Sequence, residues 1–296
     1  MKQSTIDYKN FKVEVLGALY DCGNRLRRRK MLSLLPDIQE RVVLEIGCGI
    51  GDFAIALNQK RGAYKKYIGI DISFNNLLTA KQLINEAPRA KARSFLYPLG
   101  AERNPDHASI QGFKPEVLSR RDKFKPSNDI SLAQADIFRL PFKDESIDIL
   151  ICAEVLEHLD DIRAMKEIKR VLKKESFVLI TMPYLGQPVE GWGHLRHYDL
   201  ETIKNLANGS DFIIRSINIF GRFHEISWVR LKRILFRIWG VWKKITRSKN
   251  EYYASRLHRN FIMPIGDRVL FIDDLFAQSK SIIGSKGYVV VLLEKK

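Results

Sequence analysis

The sequence predicts an α/β protein built around a doubly wound sheet, and two observations lead to this fold class. Short, nearly unbroken runs of Val, Ile and Leu recur along the chain, as in strands buried on both faces. They occupy residues 42–46, 67–72, 147–152 and 177–182. Segments with helical spacing lie between them, at residues 53–59, 75–85 and 162–172. Strand alternating with helix is typical of a parallel sheet covered by helices on both faces.

Three further runs complete the predicted set of strands. Residues 130–135 predict one more strand, and residues 212–219 and 288–294 predict two at the C-terminal end. The alternating part of the chain therefore accounts for seven strands.

The remaining segments interrupt the alternation and define the predicted domain organisation. Residues 1–40 form a helical, basic cap, and residues 41–221 form the sheet core with a polar, proline-containing insert at 86–129. Residues 222–287 form a basic amphipathic, helical insert, after which residues 288–296 supply the last strand. A long connection without clear periodicity is usually functional or mobile.

Composition and charge restrict the class of protein. The 296-residue chain has a formal net charge of +16 and is 45% hydrophobic, which excludes a disordered or fibrous chain. The charge favours an anionic partner, either nucleic acid, an anionic membrane surface or an acidic substrate. Three cysteines without a CxxC pair favour a reducing cytosol. Because no run of 18 apolar residues and no signal-peptide pattern occurs, we expect a protein that is soluble or lies on a surface.

A glycine-rich turn follows the first strand. Residues 47–51 read GCGIG, and glycines at such a turn let the backbone approach a ligand closely at a helix N-terminus. The dinucleotide fingerprint GxGxxG requires a glycine where this chain has Asp52, whose charge would face a pyrophosphate. No GxxxxGK[ST] motif is present, which excludes a Walker-type phosphate loop.

Carboxylates stand at the ends of the next two predicted strands. Asp71 follows Gly51 by 20 residues, where a carboxylate can accept both hydroxyls of a ribose. Asp136 follows the strand at 130–135, where it can accept from an adenine amino group while Ile137 covers the ring face. A glycine turn and two acids at three successive strand ends indicate a ligand site more strongly than any one of them alone.

With these motifs in place, the sequence resembles the class I S-adenosylmethionine-dependent methyltransferases, and within them the type-11 group that includes quinone-biosynthesis enzymes. The resemblance covers about residues 41–219 and the final strand. It is carried by the segments VVLEIGCGIG (42–51), YIGIDIS (67–73), ADIFRLPFKDESIDILICAEVLEHL (135–159), EIKRVLKKESFVLITMPY (167–184) and GHLRHYDLETIKNLA (193–207).

The resemblance implies a Rossmann-like, mostly parallel seven-stranded sheet with an antiparallel last strand, and S-adenosylmethionine as the cofactor. It places the methionine part on Glu45 and the glycine turn, the ribose on Asp71, and the sulfonium beside Ala153 and Glu154. The implied cofactor-binding residues are Glu45, Gly47, Cys48, Gly49, Gly51, Asp71, Ile72, Asp136, Ile137 and Ala153. The segments 86–129 and 222–287 depart from the family pattern and leave the acceptor open.

Methyl transfer from a sulfonium is an in-line displacement, so the protein mainly supplies alignment and exclusion of water. An acceptor hydroxyl or acidic carbon also requires a base. His158 is the first candidate because its ordinary pKa lies near neutral pH, and Glu154 is the second. The alternative is that His158 caps or packs the following helix, and Glu157 is expected to be structural.

A second polar cluster follows the fifth strand and supplies candidates for the acceptor site, namely His194, Arg196, His197 and Tyr198. Arg196 can offer a fork to a carboxylate or phosphate, and the alternative is that the cluster orders its loop. The spacing H-x-R-H matches no metal-ligand pattern and no HExxH occurs, so we expect no metal.

Nucleic-acid methylation is the natural rival, given the positive charge. Amino-methylating enzymes of this class resemble one another in a [DNS]PPY motif after the fourth strand, where this chain reads Cys-Ala-Glu-Val at 152–155. Cys152 lacks the adjacent proline of the cytosine C5 enzymes, so we expect it to be a core residue.

The positive charge is concentrated in one segment. Residues 222–260 contain eleven basic and two acidic residues, a local net charge of +9. At 100° per residue, basic side chains fall on one side of residues 228–247 and three of the four tryptophans on the other. This pattern indicates a helix in an anionic membrane interface, with core packing or RNA contact as the alternatives. The predicted membrane contacts are Trp228, Arg233, Arg237, Trp239, Trp242 and Lys243.

The sequence therefore predicts a cytosolic S-adenosylmethionine-dependent methyltransferase that docks on the inner membrane face. Its acceptor is expected to be a small molecule or a lipid-linked, envelope-related compound such as an isoprenoid quinone. The alternatives are a methyltransferase for a soluble metabolite or RNA, and a cofactor-binding membrane adaptor without catalysis. The basic run at 25–30 either adds to the membrane surface or is a solvated helix face.

Overall fold

The computed structural model describes residues 7, 22–60, 64–86, 129–185, 193–220, 234, 237 and 287–296 of the chain. Its helices are α1 (Cys22–Leu34), α2 (Asp52–Lys60), α3 (Phe74–Glu86), α4 (Asp161–Val171) and α5 (Leu200–Gly209), with a 3₁₀ turn at Leu156–His158. Its strands are β1 (Val42–Ile46), β2 (Lys66–Asp71), β3 (Asp129–Gln134), β4 (Ile147–Ala153), β5 (Leu172–Tyr184), β6 (Phe212–Phe220) and β7 (Gly287–Lys295).

The seven strands form one sheet in the order β3-β2-β1-β4-β5-β7-β6. Strands β1 to β5 pair in parallel, for example Glu45 with Gly69 and with Ile151. Strand β7 is antiparallel to both β5 and β6. The predicted seven-stranded, mostly parallel sheet with an antiparallel last strand is confirmed.

The strand order reverses between β1 and β4, which are neighbours in space although two strands separate them in sequence. In open α/β sheets the crevice outside the carboxyl ends of the strands at such a reversal is where ligands bind. The glycine turn follows β1 at this place, and Ala153 ends β4 beside it.

Alternate residues of β1 enter two different hydrophobic cores. Val43 packs with α1 and α2, while Leu44 and Ile46 pack with α4 and α5. Successive side chains of a strand point to opposite faces, so a strand covered on both sides is apolar throughout. This explains why the central strands appeared in the sequence as unbroken apolar runs.

The start of β5 differs from its prediction. The strand begins at Leu172 rather than residue 177, and its pairing with β4 shifts register between Ile147 and Ile149. Lys174 and Glu175 are exposed, and Glu175 has a φ of 57°. Because this irregular first part is polar and solvent-facing, hydrophobicity did not reveal it as strand.

Helix α1 packs on the sheet through Leu26, Met31 and Leu32, each at most 1% exposed. Its basic run is not a uniformly solvated face, since Arg25 and Arg28 are buried while Arg27, Arg29 and Lys30 are partly exposed. Arg28 donates from Nη1 to Oδ2 of Asp52, the first residue of α2, at 2.5 Å. Part of the N-terminal basic charge therefore neutralises a carboxylate beside the glycine turn.

Much of the two predicted inserts lies outside the described residues. This applies to residues 87–128 and to 221–286 apart from Ile234 and Arg237, which are helical and exposed. Within the described part of the chain, no helix is long and apolar enough to cross a membrane.

Candidate functional site

The glycine turn depends on three left-handed backbone conformations. Gly47, Gly49 and Gly51 have φ values of 69°, 52° and 73°, which glycine adopts without strain. A Cβ on Gly47 would lie 2.4 Å from Cγ2 of Val155 in the loop after β4. The turn therefore requires glycine both for its backbone and for its approach to β4.

Asp71 fixes the turn from the end of β2. One of its carboxylate oxygens accepts from the backbone N–H of Gly49 and the other from that of Ser73, both at 2.8 Å. Burial raises the pKa of Asp71, while these hydrogen bonds act to lower it. Hydrogen bonds from the Asn76 side chain and from the backbone of Ile72 also act to lower this pKa.

Glu45, one of the residues predicted to bind the cofactor, is almost fully buried. Its side chain accepts a hydrogen bond from the hydroxyl of Tyr67, and the residue is 3% exposed. Burial raises the pKa of Glu45 well above its ordinary value, and the charges of Asp52 and Asp71 add to this effect. At the turn itself, Cys48 is buried and donates its backbone N–H to the carbonyl of Ile70 at 2.9 Å.

The two residues predicted to contact an adenine ring differ in exposure. Asp136 is exposed and accepts from the backbone N–H of Phe138 at 2.9 Å, whereas Ile137 is 8% exposed and packs in the core. Gln134 donates to the carbonyl of Ile72 at 2.8 Å and ties the ends of β2 and β3 together. Ile137 therefore presents only a small apolar surface at this edge.

Glu154 follows β4 in a left-handed conformation, with φ 55°. Its carboxylate accepts from the hydroxyl of Thr181 at 3.0 Å and lies 3.3 Å from Nη1 of Arg27 in α1. The second candidate for the base is thus engaged in an ion pair and a hydrogen bond. Sequence reasoning missed Arg27 and Thr181, because both are distant in sequence and belong to no motif.

His158 and His194 come together although 36 positions separate them in the sequence. Their ring centroids are 4.9 Å apart in an edge-on arrangement, and Nδ1 of His158 lies 3.3 Å from the carbonyl oxygen of Gly193. Burial lowers the pKa of both rings, that of His194 to about 4, where the neighbouring His158 contributes as well. Both imidazoles are therefore neutral near pH 7.

Arg196 and Tyr198 both bind Asp161 in the first turn of α4. The guanidinium lies 2.7 Å from Oδ1, and the Tyr198 hydroxyl donates to Oδ2 at 2.8 Å. Tyr198 is 1% exposed, so it contributes to the core rather than to an open surface. Of the four predicted acceptor-site residues, these two favour the loop-ordering alternative, while His197 is exposed.

Of the residues predicted to contact a membrane, only Arg237 belongs to the described part of the chain, and it is exposed. The other five lie outside the described residues. Ile234, one turn earlier, keeps 54% of its surface exposed.

Comparison with known proteins agrees with this geometry. Residues 22–217 match the sequence model of a family described as a methyltransferase domain. The 2-phytyl-1,4-naphtoquinone methyltransferase of Trichormus variabilis is 29% identical over 134 residues, which are 45% of this chain and 42% of that protein. The demethylmenaquinone methyltransferase of Staphylococcus haemolyticus is 26% identical over 151 residues, 49% and 46% of the two chains. This chain thus spans less than half the length of these curated relatives.

Solved structures give the same fold. Phosphoethanolamine N-methyltransferase 2 of Haemonchus contortus matches with a TM-score of 0.53 and 20% identity, covering 91% of this chain and 52% of that one. Geranyl diphosphate C-methyltransferase of Streptomyces coelicolor A3(2) matches with a TM-score of 0.50 and 11% identity, covering 91% and 78%. At these identities the likeness establishes the fold alone.

Proposed function

The chain belongs to the methyltransferase-domain family, and on that premise we propose that it transfers the methyl group of S-adenosylmethionine to a small-molecule acceptor. The observation that carries the proposal is the junction of Asp71 with the glycine turn at the strand-order reversal. There the carboxylate accepts a hydrogen bond from the backbone N–H of Gly49 in the turn.

The residues present fit this cofactor. Asp71 offers two acceptor positions at one edge, as the adjacent hydroxyls of a ribose require. The glycine turn has no side chain except the buried Cys48 and Ile50, so its backbone can lie against the methionine part. Asp136 is exposed and can accept from an adenine amino group. The cofactor supplies an electrophilic methyl on a sulfonium, and the protein holds and aligns it.

The base predicted for the reaction is better supported at His158 than at Glu154. The Glu154 carboxylate is bound by Arg27 and Thr181 and stabilises the end of β4. His158 is neutral, and its Nδ1 faces a carbonyl oxygen, which can only accept. Nδ1 therefore carries the proton, and Nε2 carries the lone pair that a base needs.

For the acceptor we propose an apolar, lipid-linked compound with a hydroxyl or an acidic carbon, such as an isoprenoid quinone precursor. The support is the naming of two relatives as quinone methyltransferases, over less than half of their length. The basic segment at 222–260, with its tryptophans, supports peripheral docking on the cytoplasmic membrane face.

A labelling experiment tests the proposal. The full chain is incubated with methyl-labelled S-adenosylmethionine and a cell extract, which is then separated into lipid, aqueous small-molecule, protein and RNA fractions. We expect label in the lipid fraction, and none with an Asp71→Ala protein. Label in RNA, or equal labelling with both proteins, would contradict the proposal.

A further inference from the structure

A buried carboxylate lies beside the histidine pair and has no hydrogen-bond partner among the described residues. Glu157 is 1% exposed, and neither of its carboxylate oxygens accepts a hydrogen bond there. Burying an ionised carboxylate without a hydrogen-bond partner is strongly unfavourable. Burial raises the pKa of Glu157 well above its ordinary value and the charge of Arg27 only partly offsets this, so a proton or a further cation would stabilise the group.

The histidines provide the complementary atoms. Nε2 of His158 lies 3.8 Å from Oε1 of Glu157. One ligand atom from each of Glu157, His158 and His194 can be chosen so that all three lie within 4.8 Å of one another. Three donor atoms this close can converge on one ion at bond lengths of about 2.0–2.2 Å after small side-chain rotations.

The tautomer of His158 supports the same assignment. Its Nδ1–H points to the carbonyl oxygen of Gly193 at 3.3 Å, so the lone pair is on Nε2, the nitrogen nearer to Glu157. A metal-bound histidine commonly donates its other ring N–H to a carbonyl or carboxylate in this way.

From these contacts we propose that Glu157, His158 and His194 form a binding site for one divalent transition-metal ion, with Zn²⁺ as the preferred type. Two imidazoles and one carboxylate select first-row transition metals over Mg²⁺, which prefers oxygen ligands. Three protein ligands leave at least one coordination position open, as in metal sites that bind water or a substrate oxygen. Both histidines are partly exposed, so this position is accessible from their side.

The proposal replaces the expectation from sequence that no metal binds. It also changes the role of His158, since coordination through Nε2 uses the lone pair that a base would need. Metal binding and the simple base role are therefore alternatives, and the experiment separates them.

The test uses the full chain without a histidine tag, stripped with chelator and titrated with Co²⁺ under visible spectroscopy and with Zn²⁺ under calorimetry. We expect one ion per chain, a d–d absorption band, competition by Zn²⁺ and none by Mg²⁺. Glu157→Gln and His194→Ala should each weaken binding at least 10-fold. His197→Ala, three positions from His194 and exposed, should bind like the unmodified chain.

Circular dichroism and thermal unfolding verify that each variant is folded. If Glu157→Gln is unstable, His194→Ala provides the test, because His194 is partly exposed. The absence of a Co²⁺ band, or equal affinity in all variants, would overturn the proposal and leave Glu157 protonated. Asp71→Ala should retain the Co²⁺ band while losing S-adenosylhomocysteine, so failure of the metal site and failure of the cofactor site are distinguishable.

Discussion

The guanidinium of Arg27 lies 3.3 Å from the carboxylate of Glu154, and this contact joins α1 to the end of β4. Both side chains are about four-fifths buried, so solvent screens the pair less than it screens a surface ion pair. The Arg27 guanidinium also lies 5.8 Å from the ring centroid of Tyr288 in β7. One N-terminal side chain thus connects the first helix, the β4 end and the last strand.

A double-mutant cycle measures this connection. Arg27→Met and Glu154→Gln should each lower the free energy of unfolding by about 1–2 kcal/mol, with a coupling energy on the order of 1 kcal/mol. Urea unfolding provides the measurement. The same cycle at Lys169 and Asp211, where the carboxylate is largely exposed, serves as control and should give a smaller coupling. Additive effects at Arg27 and Glu154 would contradict the structural role of the pair.

Cofactor binding should depend on Asp71. Replacing it with alanine removes the carboxylate proposed to bind the ribose and the acceptor for the backbone N–H of Gly49 in the turn, and we expect the Kd for S-adenosylhomocysteine to rise at least 10-fold. Calorimetry measures the change. Glu201→Gln, which neutralises an exposed carboxylate on α5, is the matched control and should leave the Kd unchanged. Unaltered binding by the Asp71→Ala protein would show that the site is assigned wrongly.

Gly47→Ala should destabilise the fold by about 2–4 kcal/mol. The alanine would have to adopt a left-handed φ of 69° and place its Cβ 2.4 Å from Val155, and each effect costs on the order of 1–2 kcal/mol. Gly209→Ala is the control, because a Cβ there meets no atom within 4 Å. It should change the free energy of unfolding by about 1 kcal/mol or less. Similar urea midpoints for both variants would refute this account of the turn.

The pH dependence of stability should reflect the titration of Glu45. Because its pKa is raised in the folded state, the contribution of Glu45 to stability is fully present below the unfolded pKa of about 4.3 and is lost as pH rises toward the folded value. Glu45→Gln retains a hydrogen-bond acceptor for Tyr67 and removes the titration. Relative to the unmodified chain it should therefore gain stability as pH rises above about 4.3, as followed by urea unfolding. A constant difference across that range would argue against a raised pKa.

Membrane docking should require both charge and tryptophan. Co-sedimentation with vesicles of anionic lipid should fall as salt rises, and the Trp239→Ala/Trp242→Ala protein should remain in the supernatant. Vesicles of neutral lipid are the control and should not retain either protein. Vesicle binding that changes neither with salt nor with the replacement of both tryptophans would contradict the proposed membrane docking.

The strands were predictable where burial on both faces produces unbroken apolar runs. Strand β1 matches its prediction, and β2 ends at Asp71, one residue before the predicted end. The polar start of β5 was not predictable, since Lys174 and Glu175 are exposed within the strand. Hydrophobicity reports burial, and strand residues outside the core do not share that signal.

The residues proposed to bind the cofactor could be selected from sequence because the glycine turn and Asp71 occupy fixed places after successive strands. The partners of Glu154 were not, since Arg27 precedes it by 127 positions and no local spacing joins them. Glu157 and His158 are adjacent, but His194 lies beside them because the loop before α5 contacts the 3₁₀ turn after β4, where Leu195 N donates to the carbonyl of Glu157. Such groupings arise from tertiary structure, so no periodic pattern in the sequence predicts them.

The position of β7 between β5 and β6 has a consequence for synthesis on the ribosome. Strand β6 pairs with β7 alone in the described sheet, yet 66 residues separate the end of β6 from the start of β7. At a synthesis rate of about 5–20 residues per second, about 3–13 seconds pass between the synthesis of β6 and that of β7, the strand that pairs with both β5 and β6. During that interval β5 and β6 lack the strand that pairs with both of them, and unpaired strand edges of this kind favour aggregation.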